Sequence, residues 1–194
     1  DLKRLIAYSS IAHMGLMIAA AFAGSQTGMH GLMVQMFNHG INITGMWLIV
    51  SMIEQRWGTR DMSQLGGMAV TAPRMAIALV IISFANIALP LTNGFIGEFM
   101  LFNGLSEGQL QYSMIYMVVA GLGIILGAVY TLNMVQRTAY GEAKKTIVAQ
   151  QDLTANEYVG LSVIIGLILL LGVYPKILLD MTAGVAQAIL PVMP

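Results

Sequence analysis

Residues 88–99 read ALPLTNGFIGEF, and they sit in the middle of an apolar stretch, residues 75–105, that is long enough to cross a bilayer. Pro90 has no backbone N–H, and its ring collides with the preceding helical turn. Thr92, Asn93 and Gly94 then form a loop-like passage before Phe95. The stretch is therefore predicted to be a broken helix. Four residues beyond Gly94 stands Glu98, an ionisable side chain inside apolar sequence. A charge in hydrocarbon costs several kcal/mol, so such a residue reads by default as a functional site.

Working outward, the rest of the chain has the same character. Of its 194 residues 57% are hydrophobic and 9% charged, against roughly 25% charged in an ordinary soluble domain. Five apolar segments are expected, at about 5–23, 31–53, 75–105, 112–135 and 158–173. A spanning helix needs about 20 apolar residues, and no alternating pattern of a membrane barrel is visible. The fold class is an all-α, polytopic membrane protein. The chain has no cysteine, which excludes disulfides and thiolate metal sites, and its sixteen methionines are spread over every segment, where they suit helix packing.

Charge decides how the broken segment runs. If it crosses once, Lys3, Arg4, Arg56, Arg60, Arg74, Arg137, Lys144 and Lys145 share one face and Lys176 alone lies on the other. If it dips and returns, the split is six against three. The first arrangement obeys the positive-inside bias far better. Five crossings follow, with the amino end cytoplasmic, the carboxyl end outside, and 75–105 as one discontinuous passage. Residues 1–174 form the membrane unit. Residues 175–194 form an amphipathic interfacial tail, with Leu178, Leu179, Val185, Ala188 and Ile189 on its apolar side. The polar loop 141–156 is too short for a domain. The opening DLKRLIAYSS has no signal-peptide pattern, and without an initiator Met it reads as a mature product or as the carboxyl-terminal part of a longer protein.

Glu98 is the leading candidate for proton chemistry, because low-dielectric surroundings let a carboxyl group keep its proton. Irregular backbone at membrane depth survives only where it is buried in protein or lines a wet cavity. A carboxylate beside a helix break recurs in ion-coupled transporters. The structural alternative is a carboxylate near the outer interface that caps a short helix. His39, in NHGINIT, and His13, in SSIAHMG, are the next candidates. Imidazole titrates near neutral pH and suits a relay. Asn38 and Thr44 are expected beside His39, and Tyr8, Ser9 and Ser10 beside His13. Either histidine is alternatively a neutral bridge between helices. His30 is expected in a solvated loop. Gly121, Gly123 and Gly127 read as a packing stripe. No metal-ligand spacing, phosphate loop or nucleic-acid patch is apparent, and the basic residues read as topology determinants.

These residues also carry a resemblance. DLKRLIAYSSIAHMG (1–15), MVQMFNHG (33–40), EQRWGTRDMSQLGGM (54–68), ALPLTNGFIGEFM (88–100) and YTLNMVQRTAYG (130–141) together resemble the carboxyl-terminal part of the antiporter-like membrane subunits of respiratory complex I. Glu98, where the related chain 5 type has a lysine, makes the chain look most like the chain 4 type, called chain M in bacteria. The Mrp-type cation/proton antiporters share that fold and are the alternative. The resemblance implies a fourteen-helix antiporter-like fold, of which this chain supplies roughly the last five helices, with the family's discontinuous helix on residues 76–105. It implies a proton-translocating subunit of NADH:quinone oxidoreductase in a bacterial plasma membrane. Glu98 would lie at the outward end of the proton path, and His39 and His13 along its hydrophilic axis. It implies no cofactor in this chain, with NADH, FMN, iron–sulfur clusters and quinone held by other subunits. It implies neighbouring membrane-arm subunits and lipid as partners. The family's first repeat, with its glutamate–lysine pair, and its central lysine have no counterpart here, so a complete channel is expected to need more than these residues.

Overall fold

The structure, a computed structural model, describes residues 1–108, 113–142 and 151–189. Among them all regular structure is helical: α1 (Leu2–Phe22), α2 (Gln26–Trp57), the short α3 (Met68–Thr71), α4 (Pro73–Asn86), α5 (Asn93–Glu107), α6 (Ser113–Val135) running into a π-helical turn (Gln136–Tyr140), α7 (Ala155–Val173) and α8 (Lys176–Ile189). Three helices, α1, α6 with its π turn and α7, are each long and apolar enough to cross a membrane. Lys144 and Lys145, and Tyr112 at the edge of the fourth expected segment, lie outside the described residues.

The break falls where the proline requires it. A helix continued through Pro90 would drive its ring into the carbonyl of residue 86, and the residue before a proline avoids the α region. Accordingly α4 ends at Asn86 and α5 begins at Asn93. Between them Ala88 has φ +55° and Leu91 φ +75°, a left-handed conformation that costs a side-chain-bearing residue of order 1–3 kcal/mol. The Thr92 hydroxyl closes the turn by donating to the Leu89 carbonyl at 2.6 Å.

Across this break α4 and α5 run as one passage beside α2. Contacts along α2 descend steadily through the partner numbers. A Cβ on Gly28 would meet Gly104, one on Gly31 would meet Met100 and Leu101, and Gly97 abuts Gln35. Asn38 then bonds to Asn93, Asn42 to Ala85, and Gly45 lies against Ile82. A segment that dipped and returned would reverse this order partway. The pairing is antiparallel throughout, with small residues where backbones approach closely.

One end of the bundle is a clasp built from basic residues. Arg56 at the end of α2 bonds Glu157 with both terminal nitrogens, at 3.1 and 2.6 Å, and donates through Nε to the Gln151 carbonyl at 2.7 Å. Asp152 reaches back to α4, accepting from Arg74 N at 3.0 Å and Met75 N at 3.2 Å. It supplies the side-chain cap that Ala72, at the cap position before Pro73, cannot. Asp1 pairs with Arg60 and Lys3 with Glu54 at the same end, and Gly66 packs on Gly141 and Glu142 of the chain leaving the π turn. Lys3, Arg4, Arg56, Arg60, Arg74 and Arg137 therefore gather at this end, and Lys176 lies beyond the far end of α7. Arg56→Met leaves half-sheltered Glu157 with only its bonds from Thr154. Hydrogen bonds to a charged group contribute about 1.5–3 kcal/mol, so the thermal midpoint in detergent is expected to fall. Lys3→Met, at the more exposed pair, should lower it far less.

The tail helix α8 is amphipathic, and part of its apolar side packs on the bundle. Leu178 packs with Val34 of α2 and Leu171 of α7, while Val185 stays exposed. His30 departs from expectation. It lies within α2 and is half-buried, its Nε2 at 3.0 Å from the Thr182 hydroxyl and 3.1 Å from the Leu179 carbonyl. The polar run around it is a helix start capped by Ser25, so what reads as a loop is a first turn that holds α8.

Candidate functional site

Three helices bring the candidate residues together. α1 and α2 fold back on one another about residues 23–25, which sets His13 beside His39. The antiparallel run of α5 along α2 places Glu98, in the second turn of α5, at the same level. Glu98 Oε1 lies 2.9 Å from His13 Nδ1. The His13 and His39 rings are 5.0 Å apart at a tilt of 46°. Glu98 is 5% exposed and His39 8%, so the row His39–His13–Glu98 is sheltered from solvent at both ends, with His13 as its middle member. An imidazole nitrogen thus stands within ion-pair distance of a carboxylate oxygen, and a second imidazole stands within one ring's reach.

The surroundings of the histidines differ in detail from the sequence expectation. Asn38 does not hold His39; it donates to the Asn93 carbonyl at 2.7 Å. Thr44 bonds the Gly40 carbonyl of its own helix. Ser9, one turn before His13, is buried and accepts from Asn86 Nδ2 at 3.0 Å, whereas Tyr8 points outward. A cavity of about 300 Å³ opens beside the His13–Glu98 pair, between α1 and α6, and Asn86, Tyr116 and Tyr130 put the other polar groups on its wall. Gly123 and Gly127 of α6 also line it. This corrects their expected role as a packing stripe. A Cβ on Gly123 would meet nothing within 4 Å, and one on Gly121 only Phe102 at 3.8 Å. These glycines give the cavity its room.

The break is surrounded by carboxamides, of which the sequence reading named Asn38 and Asn93 and missed Gln35, Asn42 and Asn86. The side-chain oxygens of Gln35, Asn38, Asn42, Asn86 and Asn93 are buried and accept no hydrogen bond from the described protein atoms. A buried acceptor in that condition costs about 1–3 kcal/mol, and internal water is the usual means of satisfying it. Gln35, Asn38 and Asn42 fall three and four residues apart, one stripe of α2 facing the break. That spacing was present in the sequence and is the signal that identifies them.

Comparison with known proteins gives the chain a family. A family profile described as NADH:quinone oxidoreductase/Mrp antiporter, TM, matches residues 1–127. The NADH-quinone oxidoreductase subunit M of Rhodobacter capsulatus is 36% identical over 182 residues, which is 93% of this chain and 35% of that protein. The subunit of the same name from Escherichia coli is 32% identical over 182 residues, again 93% of this chain and 35% of that protein. The chain thus spans about a third of the length of the curated relatives it matches. Among solved structures, a chain of respiratory complex I from Thermus thermophilus with bound NADH superposes with a TM-score of 0.85 at 27% identity, over 97% of this chain and 39% of that one. A chain of the Mrp complex from Dietzia superposes at 0.83 with 18% identity, over 95% and 42%, a likeness of fold alone. With the profile matched over most of its length, the chain belongs to the NADH:quinone oxidoreductase/Mrp antiporter transmembrane family.

Proposed function

We propose that this chain is the carboxyl-terminal part of a proton-translocating membrane-arm subunit of NADH:quinone oxidoreductase, of the chain M type, in a bacterial plasma membrane. The observation that carries the reading is the buried row His39–His13–Glu98 set beside a helix break. A proton held at His13 Nδ1 or Glu98 Oε1 moves between them across the 2.9 Å contact. His39 receives or supplies it on one side, and the cavity at Asn86, Tyr116 and Tyr130 is the way to or from the other. The orphaned carboxamide oxygens around the break favour a hydrated path over a dry one. No redox step falls to this chain. NADH, FMN, iron–sulfur clusters and quinone belong to other subunits in this reading, and energy released there alters the field along the row.

The same reading has five crossings, the second formed by α2 and the third by α4 and α5 together, within a fourteen-helix antiporter-like fold. The fourteen residues of α4 and fifteen of α5 give about 21 and 22 Å of helix at 1.5 Å per residue, enough in sum for a hydrocarbon layer of about 30 Å. The basic clasp favours a cytoplasmic position for that end. The subunit's partners are then neighbouring antiporter-like subunits and lipid.

Purification of the full-length protein from its own membrane tests this against the alternative, a subunit of a Mrp-type cation/proton antiporter. NADH:quinone reductase activity is expected to co-purify, together with flavin and iron–sulfur proteins. A preparation that lacks them and exchanges cations for protons without NADH overturns the assignment in favour of the antiporter.

A further inference from the structure

Two strained residues flank Pro90, and strain of that kind persists only when its surroundings over-determine it. Two asparagines of α2 provide the constraint, one at each side of the break. Asn42 Nδ2 donates at 3.1 Å to the carbonyl of Ala85, one residue from the end of α4. Asn38 Nδ2 donates at 2.7 Å to the carbonyl of Asn93, the first residue of α5, and Asn93 Nδ2 returns a bond to the Asn38 carbonyl at 3.3 Å. The asparagines are one helical turn apart on α2, and all three are fully buried. Ala88 at φ +55° and Leu91 at φ +75° lie between the clamped points. Beyond the clamp, Glu98 follows in the next turn of α5, its carboxylate on His13 of a different helix.

We propose that Asn38 and Asn42 are positioning residues that clamp the two lips of the break to α2, hold the strained turn open, and so fix Glu98 against His13. The inference rests on the reading of Glu98 as a proton-exchanging group, and it adds what holds the break beside that group. Among the described residues no other side chain of α2 bonds to the lips of the break. The small-residue contacts at Gly28, Gly31 and Gly97 bring α5 close but carry no hydrogen bond to the break. Without the carboxamides the two lips of the break lose their bonds to α2 and can relax Ala88 and Leu91 while the glycine contacts still hold α5 close, and a displacement of about 1 Å in a reacting group costs up to about a hundredfold in rate.

The test uses the assembled complex in inside-out membrane vesicles and reads NADH-driven acidification. The double variant Asn38→Ala, Asn42→Ala is expected to lose about tenfold or more in pumping, or to fail to assemble. In either event Ala88→Gly with Leu91→Gly, which lets the open turn exist without strain, is expected to restore much of the lost pumping or assembly. The same glycines should not rescue Gly104→Val, a backbone collision remote from the break. Parental pumping by the double asparagine variant overturns the clamp, and so does a loss that the glycines leave unrepaired. Glu98→Gln in the same vesicles separates the two ideas. If it stops pumping while the asparagine variant does not, the clamp alone fails. If Glu98→Gln pumps normally, the relay reading fails and takes the clamp with it.

Discussion

Glu98→Gln in the full-length subunit is expected to cut NADH-driven proton pumping at least tenfold and to lower quinone reduction with it, while the complex still assembles. Glutamine has the volume of glutamate and still reaches His13 Nδ1 across the 2.9 Å contact, so packing around α5 is preserved. What it cannot do is release or accept a proton at that atom. A positioned acid–base group contributes about 10²–10⁴ to a proton-transfer step, which is why the loss should be large even if other routes leak. Glu98→Asp keeps the chemistry and shortens the arm, so it should retain a measurable share of pumping. The measurement is the quenching of a pH-sensitive dye in sealed vesicles, with quinone reduction followed in parallel. Parental acidification by the glutamine variant would remove Glu98 from the path whatever its kinship.

Much of this arrangement was legible in the sequence, for reasons that are local. Pro90 and the Thr92–Asn93–Gly94 run announced the break, because a proline's effect on its own helix needs no tertiary information. The basic residues announced one common end, and six of them gather there around Arg56, Asp152 and Glu157. Glu98, His39 and His13 announced themselves as ionisable residues in apolar sequence. That they touch was not legible. It depends on the register of α5 against α2, which Gly28, Gly97 and Gly104 set by allowing close backbone approach. Glycine is ambiguous in this respect. Gly123 and Gly127 of α6 looked like part of a packing stripe and instead line a cavity, whereas Gly28, Gly31, Gly97 and Gly104 were not singled out and let α2 and α5 approach closely. Asn38 was misread for a related reason. Beside a histidine it looked like its partner, yet its side chain, like that of Asn42, donates to a backbone carbonyl at a lip of the break across the helix interface, and a buried donor must find an acceptor of that kind.

That seam supports the second large effect: Gly104→Val is expected to abolish assembly of the full-length protein or leave a product that unfolds well below the parental temperature in detergent. A Cβ at residue 104 would strike the Cα and the backbone nitrogen of Gly28, and backbone cannot rotate aside as a side chain does. The Ser25 hydroxyl also lies in its way. That hydroxyl donates to the Gly104 carbonyl at 2.8 Å while accepting from Gly28 N at 3.0 Å, capping α2 and tying it to α5 together. The added bulk must therefore separate α5 from α2. Overpacking of this kind costs about 1–3 kcal/mol where neighbours can adjust and more where they cannot. The same displacement carries Glu98 off His13, so any complex that does assemble should pump poorly. Gly123→Ala in the wall of the cavity, where a Cβ meets nothing within 4 Å, should assemble normally. The contrast between the two variants, read as membrane abundance and detergent melting, distinguishes a seam built on close approach from a general intolerance of change at glycine. Equal abundance and equal melting in Gly104→Val and the parent would mean that α2 and α5 do not meet as described, and the level of Glu98 would have to be argued again from a different register.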